Sequence, residues 1–160
     1  MSEIQLEVLV GEALKEKKWT VATAESCTGG LVMHRLTNVN GSSGYVQGGL
    51  VAYSYEAKTT LLKVKSETLL NHGAVSEETA IEMVRGVIDL LNVDCAVSIT
   101  GIAGPGGGTE GKPVGLTYLA GATRTGGLIS RHFIWGGDRE MNKAYSAEAA
   151  LQILLDLTKL

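Results

Sequence analysis

The chain has 160 residues, of which 44% are hydrophobic, and it carries 14 basic and 17 acidic side chains for a formal net charge of −3. This length and apolar content suit one domain with a buried core and leave no room for two, so we expect a single domain over residues 1–160. A slightly acidic chain without a basic run is a poor partner for a phosphate polymer, so we expect no binding to DNA or RNA.

Two cysteines, Cys27 and Cys95, are too few for a disulfide framework in a chain of this length, and this is typical of a reducing, cytoplasmic location. The amino-terminal segment has helical periodicity and early acidic residues, and no apolar run is long enough to cross a bilayer. We therefore expect neither a signal peptide nor a membrane anchor. The three histidines are scattered and no Cys-x-x-Cys occurs, so we expect no metal site and no cofactor.

Hydrophobic periodicity predicts helices and strands that alternate over most of the chain. Ser76 and Asp138 are predicted to cap two helices at their amino ends, and Gly73 to end a short one. The "RTGG" segment between two strand-like runs predicts a hairpin. The predicted helices cover approximately residues 3–18, 31–39, 55–64, 66–73, 77–92 and 139–160, and the predicted strands cover 19–25, 45–54, 94–102, 114–123 and 128–135.

This order of elements predicts an α/β fold, a single-domain three-layer α/β/α sandwich with a mixed sheet. The segment 94–102 is apolar throughout, as is typical of a strand buried on both faces. Gly48 and Gly49 interrupt the second strand, which predicts a bulge or a close approach of another backbone there.

The stretch "ITGIAGPGGGTEGKPVG" at 99–115 matches two nucleotide-binding patterns, and both fail on their context. A phosphate-binding P-loop needs Ser or Thr after Lys112 and a following helix, but residue 113 is proline and a strand follows. The dinucleotide pattern also needs a helix at this point. The loop nevertheless follows a buried strand, where ligands bind in open α/β sheets, and its glycines leave backbone N–H groups accessible to an anion. We therefore expect it to bind a small ligand.

Polar side chains also cluster at two other segment ends. In "TAESCTGG", Ser26 and Thr28 are each candidates to cap the next helix, and Ser26 is also a candidate nucleophile or anion ligand at a strand end. No histidine lies near Cys27 in the sequence to activate it, so we interpret this cysteine as a packing residue. In "GGDRE", Arg139 lies in the first turn of the last helix, where a basic residue is useful if it meets an anion such as phosphate.

The segment "AYSYEAK" places Tyr53 and Lys58 where a strand passes into a helix. Partial burial and the positive helix end lower the pKa of a lysine, and a lysine so tuned can deprotonate a serine. Tyr53 can relay the proton or orient the lysine. The turn "GSSGY" supplies Ser43, so the sequence offers a serine–lysine pair that requires no histidine.

Taken together, "TAESCTGG", "GSSGY", "AYSYEAK", "HGAVS" and "SITGIAGPGGGTEGKPVG" resemble the CinA C-terminal domain family over nearly the whole chain. The family has competence/damage-inducible members and includes stand-alone nicotinamide-nucleotide amidases, and the chain, which begins with methionine, resembles that form. The resemblance implies hydrolysis of the carboxamide of nicotinamide mononucleotide (NMN) to nicotinic acid mononucleotide and ammonia, in pyridine-nucleotide salvage and without a metal. The alternative is a non-catalytic nucleotide-binding or regulatory module. Hydrophobic strands with an exposed edge would also suit a homodimer.

The polar residues of the family fall on six positions here: Ser26, Ser43, Tyr53, Lys58, Thr100 and Arg139. Many relatives have asparagine where this chain has Tyr55, which is expected to change the rim of the pocket. Either serine is a candidate nucleophile; the sequence favours Ser43 on its small-residue loop, with Ser26 relaying a proton or binding substrate. The residues expected to bind the substrate are Thr28, Gly29, Thr100, Gly101, Gly104, Gly106 and Arg139. Of these, Thr100, Gly101 and the glycine loop are expected to line the ribose-phosphate side, with Arg139 pairing the phosphate.

Overall fold

The computed structural model describes residues 2–160, which form a five-stranded sheet between two layers of helices. The three-layer α/β/α prediction with a mixed sheet is therefore confirmed. The helices are α1 (Leu6–Lys17), α2 (Leu31–Thr37), α3 (Tyr55–Leu62), α4 (Ser66–His72), α5 (Glu77–Leu91) and α6 (Arg139–Leu157). The strands are β1 (Val21–Glu25), β2 (Val46–Val51), β3 (Cys95–Gly101), β4 (Leu116–Thr123) and β5 (Leu128–Ile134), with a short 3-10 turn at Ser42–Gly44.

The predicted helix caps are present. The side chains of Ser76 and Asp138 each accept a hydrogen bond from a backbone N–H in the first turn of α5 and α6. Gly73 follows the last residue of α4 and donates its N–H to the carbonyl of Leu69. Each cap is a local contact between residues close in sequence, which is why the sequence was sufficient to predict it.

Strand direction decides which segments of the chain meet. The strand order is β2-β1-β3-β4-β5; β1 lies parallel to β2 and β3, and β4 lies antiparallel to β3 and β5. The carboxyl ends of the three parallel strands therefore share one edge of the sheet, and β5 also ends at that edge because Ile134 pairs with Leu116. Open α/β sheets bind ligands at this edge.

Each face of the sheet is covered by three helices. One core cluster joins the sheet to α1, α2 and α6, and the other joins it to α3, α4 and α5. All five residues of β1 are buried, as expected for a central parallel strand that is covered on both faces. Side chains alternate along a strand, so neighbouring residues of β1 point to opposite helical layers.

The predicted irregularity in the second strand is a β-bulge. Val21 pairs with Val46 but Ala22 pairs with Gly48, so β2 contains one extra residue at this point. A Cβ at Gly49 would lie 2.2 Å from Oγ1 of Thr23, so only glycine allows the two strands to approach so closely.

Helix α3 is held close to α5 at Gly86. A Cβ added to Gly86 would lie 1.9 Å from the carbonyl oxygen of Leu62, the last residue of α3. Glycine normally weakens a helix interior, so its place in α5 is explained by this contact between backbones. The contact fixes the distance between α5 and the helix that carries Lys58.

Replacing Gly86 by alanine is therefore expected to destabilise the protein, although alanine is the better helix former. Overpacking of this kind costs about 1–3 kcal/mol, and α3 would have to move. The free energy of unfolding from urea denaturation measures the effect. Gly136→Ala is the control, since nothing lies within 4 Å of a Cβ at that position. Equal stabilities of the two variants would contradict the packing role.

Candidate active site

Four segments meet at the shared edge of the sheet. They are the turn 26–30 after β1, residues 52–54 after β2, residues 101–104 after β3, and residues 135–139 between β5 and α6. Residues that are far apart in the sequence become neighbours because the parallel strands all point to this edge.

The central contact joins Lys58 and Ser26. The lysine Nζ lies 3.1 Å from the serine Oγ, 3.1 Å from the carbonyl oxygen of Ala52 and 3.3 Å from that of Tyr53. Lys58 is 1% exposed and Ser26 is 8% exposed. Among residues 2–160, no carboxylate forms an ion pair with this lysine.

The protonation of Lys58 follows from its surroundings. Burial removes the ammonium from water and lowers the pKa of Lys58 below its usual 10.5, while the nearby Cys27 sulfur acts weakly in the other direction. A neutral lysine amine has two N–H donors and one lone pair. When the two donors bind the carbonyls of Ala52 and Tyr53, the lone pair is directed at the hydroxyl of Ser26, which can then donate to it.

Cys27 lies in the same cleft but is not suited to attack a substrate. Burial raises the pKa of its thiol to about 11, although Lys143 and Lys58 act in the opposite direction. The thiolate, which is the reactive form, is therefore scarce near neutral pH. The arrangement agrees with the interpretation of Cys27 as a packing residue.

Ser43, which the sequence favoured as the attacking residue, lies far from Lys58 in the folded chain. It is exposed in the short turn before β2, at the amino end of a parallel strand, whereas Lys58 follows the carboxyl end of that strand. The six residues of β2 between them span about 20 Å. Within one chain, the hydroxyl that meets the lysine is that of Ser26.

Tyr53 contacts Lys58 through its backbone carbonyl, whereas its phenol contacts another residue. Its carbonyl accepts from the lysine Nζ, whereas its side chain is 62% exposed and its Oη accepts from Arg139 at 3.2 Å. The other terminal nitrogen of Arg139 donates to the carbonyl of Gly104 at 2.8 Å. Arg139 thus joins the segments that follow β2 and β3. The neighbouring Tyr55 is 57% exposed at the rim.

Thr28 acts in the structure as a partner of Glu25, a residue that the sequence analysis did not single out. The Glu25 carboxylate accepts hydrogen bonds from the hydroxyls of Thr23 and Thr28 and from the backbone N–H groups of Val32 and Met33. Glu25 is 1% exposed, and its four donors fix the 26–30 turn against the start of α2. Only one feature of the sequence could have pointed to Glu25. Side chains alternate along β1, so Glu25 and Ser26 point to opposite faces of the sheet.

The glycine loop contributes less than predicted. Thr100 and Gly101 line the cleft around Lys58, but the Thr100 hydroxyl is donated to the carbonyl of Ala74 at 2.7 Å. Gly104 is buried and accepts from Arg139, and Gly106 is exposed outside the cleft. Residues 105–112 line neither this cleft nor its neighbour, and Thr109 and Lys112 pair with each other through reciprocal backbone hydrogen bonds.

Two clefts meet at Arg139. The reactive cleft, of about 170 Å³, is lined by Ser26, Cys27, Tyr53, Lys58, Thr100 and Arg139 among others. The outer cleft, of about 750 Å³, is lined by Thr28, Gly29, Gly30, His34, Arg139, Lys143 and neighbours. Ligand sites usually measure about 300–1,000 Å³, so the reactive cleft has room for only one end of such a ligand, whereas the outer cleft has room for the rest.

Lys143 was also missed by the sequence analysis. It lies four residues after Arg139, one turn along α6, so both side chains are on the same face of the helix. That spacing is the feature of the sequence that could have identified it.

Across residues 2–160, no group of His, Cys, Asp and Glu side chains is arranged to hold a metal ion. None of the helices in this range is both long and apolar enough to span a bilayer.

Comparison with known proteins gives one consistent family. Residues 3–158 match the family model of the CinA C-terminal domain. The chain is 51% identical to a CinA-like protein of Chloroherpeton thalassium, covering 98% of this chain but 38% of that protein, so it spans less than half of this relative. It is 48% identical to the nicotinamide-nucleotide amidohydrolase PncC of Escherichia coli K12, covering 94% of this chain and 92% of that protein.

Solved structures agree with these matches. The competence/damage inducible protein CihA of Agrobacterium tumefaciens superposes with a TM-score of 0.91 at 39% identity, covering 98% of this chain and 99% of that one. A CinA superfamily protein of Klebsiella pneumoniae superposes with a TM-score of 0.92 at 36% identity, covering 96% of each chain.

Replacing Glu25 by glutamine is expected to lower the free energy of unfolding by about 2–3 kcal/mol. The amide nitrogen of glutamine cannot accept a hydrogen bond, so some of the four groups that donate to the Glu25 carboxylate would lose their partner inside the protein. Urea denaturation measures the change, with Glu110→Gln in the exposed loop as the control. A loss no greater than that of the control would contradict the role of Glu25 in fixing the turn.

Proposed function

The chain belongs to the CinA C-terminal domain family, and on that premise we propose that it is an amidohydrolase that converts NMN to nicotinic acid mononucleotide and ammonia. The similarity to the E. coli amidohydrolase over nearly the full length of both proteins supports this activity. The observation that carries the mechanism is the buried contact of 3.1 Å between Lys58 Nζ and Ser26 Oγ. A serine with a buried lysine as its base is a known arrangement for acyl transfer.

In the first step, neutral Lys58 takes the proton of Ser26 as the serine oxygen attacks the carboxamide carbon. The nicotinamide ring of the nucleotide carries a positive charge, which withdraws electrons from the carboxamide and makes its carbon a better electrophile. The same charge beside Lys58 favours the neutral form of the amine, which is the form that acts as the base.

The tetrahedral intermediate carries its negative charge on the former carbonyl oxygen. Glu25 holds the 26–30 turn in place, and the backbone N–H groups of Ser26 and Gly29 already donate to carbonyls. The N–H groups of Cys27, Thr28 and Gly30 are therefore the proposed donors to this oxyanion. Protonated Lys58 then gives its proton to the amide nitrogen, the C–N bond breaks, and ammonia leaves an ester on Ser26.

Water completes the reaction. Neutral Lys58 accepts a proton from the water that attacks the ester carbon, and the ester C–O bond breaks as Ser26 recovers its proton from the lysine. The product is the carboxylate of nicotinic acid mononucleotide. No redox partner and no second substrate besides water are needed.

Replacing Ser26 by alanine is expected to reduce ammonia release from NMN by at least about 1000-fold, because no oxygen is left to form the ester. A coupled ammonia assay measures the rate, and Ser130→Ala, on the distant edge strand β5, is the control. Activity retained in Ser26→Ala but lost in Ser43→Ala would overturn the assignment. Binding of NMN by the unaltered chain without ammonia release would instead favour a non-catalytic nucleotide-binding module.

The rate is expected to rise with pH until Lys58 is neutral. A base must be deprotonated to act, and burial holds the pKa of Lys58 below 10.5, so kcat/KM should increase through a single ionisation below that value. Lys58→Arg is expected to be inactive at every pH, because a guanidinium stays protonated. The pH profile of ammonia release measures both effects. A rate that does not change with pH, or an active Lys58→Arg variant, would contradict the role of Lys58 as base.

A further inference from the structure

The outer cleft concentrates positive charge beside the reacting atoms. Its ionisable lining consists of His34 from α2 and of Arg139, Glu140 and Lys143 from α6. Two basic side chains, Arg139 and Lys143, therefore line this cleft with one carboxylate, in a chain whose net charge is −3. A local excess of positive charge on an acidic protein indicates a site for an anion.

Lys143 is the basic residue in this cleft whose side chain has no partner among the described residues. Within residues 2–160 its ammonium forms neither an ion pair nor a hydrogen bond to another side chain or carbonyl. It lies over the 26–30 turn, where its Nζ would be 3.7 Å from a Cβ on Gly29. Gly29 and Gly30 carry no side chains, so the space between the lysine and this turn is open to a ligand.

The other candidates for an anion contact are already engaged. Arg139 donates to Gly104 and Tyr53, and so binds the two sides of the reactive cleft together. Lys112, in the exposed glycine loop, donates to the carbonyl of His72. The positions of Lys58 and Lys143 also fit one ligand, because the clefts that they line share Arg139 and are therefore contiguous.

We propose that Lys143, over the Gly29–Gly30 turn, binds the 5′-phosphate of the substrate and thereby makes the enzyme select nucleotides over phosphate-free ribosides. This proposal rests on the proposed function, since it assigns the two ends of the same substrate. The carboxamide meets Ser26 and Lys58 in the reactive cleft, and the phosphate lies in the outer cleft. Selection arises because a riboside leaves the ammonium of Lys143 without its partner.

The test compares NMN with nicotinamide riboside in steady-state ammonia release. Lys143→Ala is expected to raise the KM for NMN by about 10- to 100-fold, the usual effect of losing one charge-assisted hydrogen bond, while kcat for NMN and both constants for the riboside stay near those of the unaltered enzyme. Lys143→Arg should restore most of the affinity for NMN, because it keeps the charge. Lys159→Ala, an exposed lysine at the carboxyl end, is the control.

The outcomes separate this proposal from the amidase proposal. If Lys143→Ala lowers kcat/KM by the same factor for NMN and for the riboside, or leaves kcat/KM for NMN unchanged, the phosphate role is overturned and the amidase activity stands. If the unaltered enzyme releases no ammonia from either compound, the amidase proposal fails. In that case the phosphate site is tested by calorimetry, with nicotinic acid mononucleotide as the ligand of the same variants. Weaker binding by Lys143→Ala alone supports the phosphate site, and equal binding by all variants and the unaltered protein overturns it.

Discussion

The site depends on a lysine that is buried without a carboxylate partner. Moving an ammonium out of water is costly unless an opposite charge offsets the loss, and among the described residues Lys58 has only a serine hydroxyl and two carbonyls. The same absence of a counter-charge is what makes the amine usable as a base. A carboxylate beside it would have stabilised the protonated form and raised the pKa of Lys58, so that little of the amine would be free to accept a proton near neutral pH. The close packing of α3 on α5 at Gly86 positions the helix that carries this lysine.

A second constraint comes from the pleat of β1. Glu25 and Ser26 are adjacent in the chain, and alternation sends them to opposite faces of the sheet. Ser26 meets Lys58 of the α3–α5 layer, whereas Glu25 binds the first backbone N–H groups of α2 on the other face. The turn that carries the candidate nucleophile is thereby held from one side while it presents its hydroxyl to the other. The acidic and basic groups that support the site stay apart, so neither neutralises the other.

Arg139 connects the two clefts and illustrates how a charged side chain can serve as structure. Its guanidinium has donors in a fixed fork, and two of its nitrogens reach segments that follow different strands. This leaves recognition of a free anion to Lys143, one helical turn further along, where the side chain faces an open glycine turn. A wide outer cleft for binding and a small buried cleft for reaction allow substrate affinity and proton transfer to be adjusted by different residues.

Local patterns in the sequence determined much of this protein: the helices and strands, the caps at Ser76 and Asp138, and the bulge near Gly48. Each depends on residues close together in the chain, where spacing and capping chemistry suffice. The identity of the hydroxyl beside Lys58 was decided only by the tertiary structure. Ser26 and Ser43 both lie in hydroxyl-rich turns next to a parallel strand, but one turn follows β1 and the other precedes β2. Parallel pairing sends those two turns to opposite edges of the sheet, and the direction of pairing is set by contacts between distant segments, which no local pattern contains.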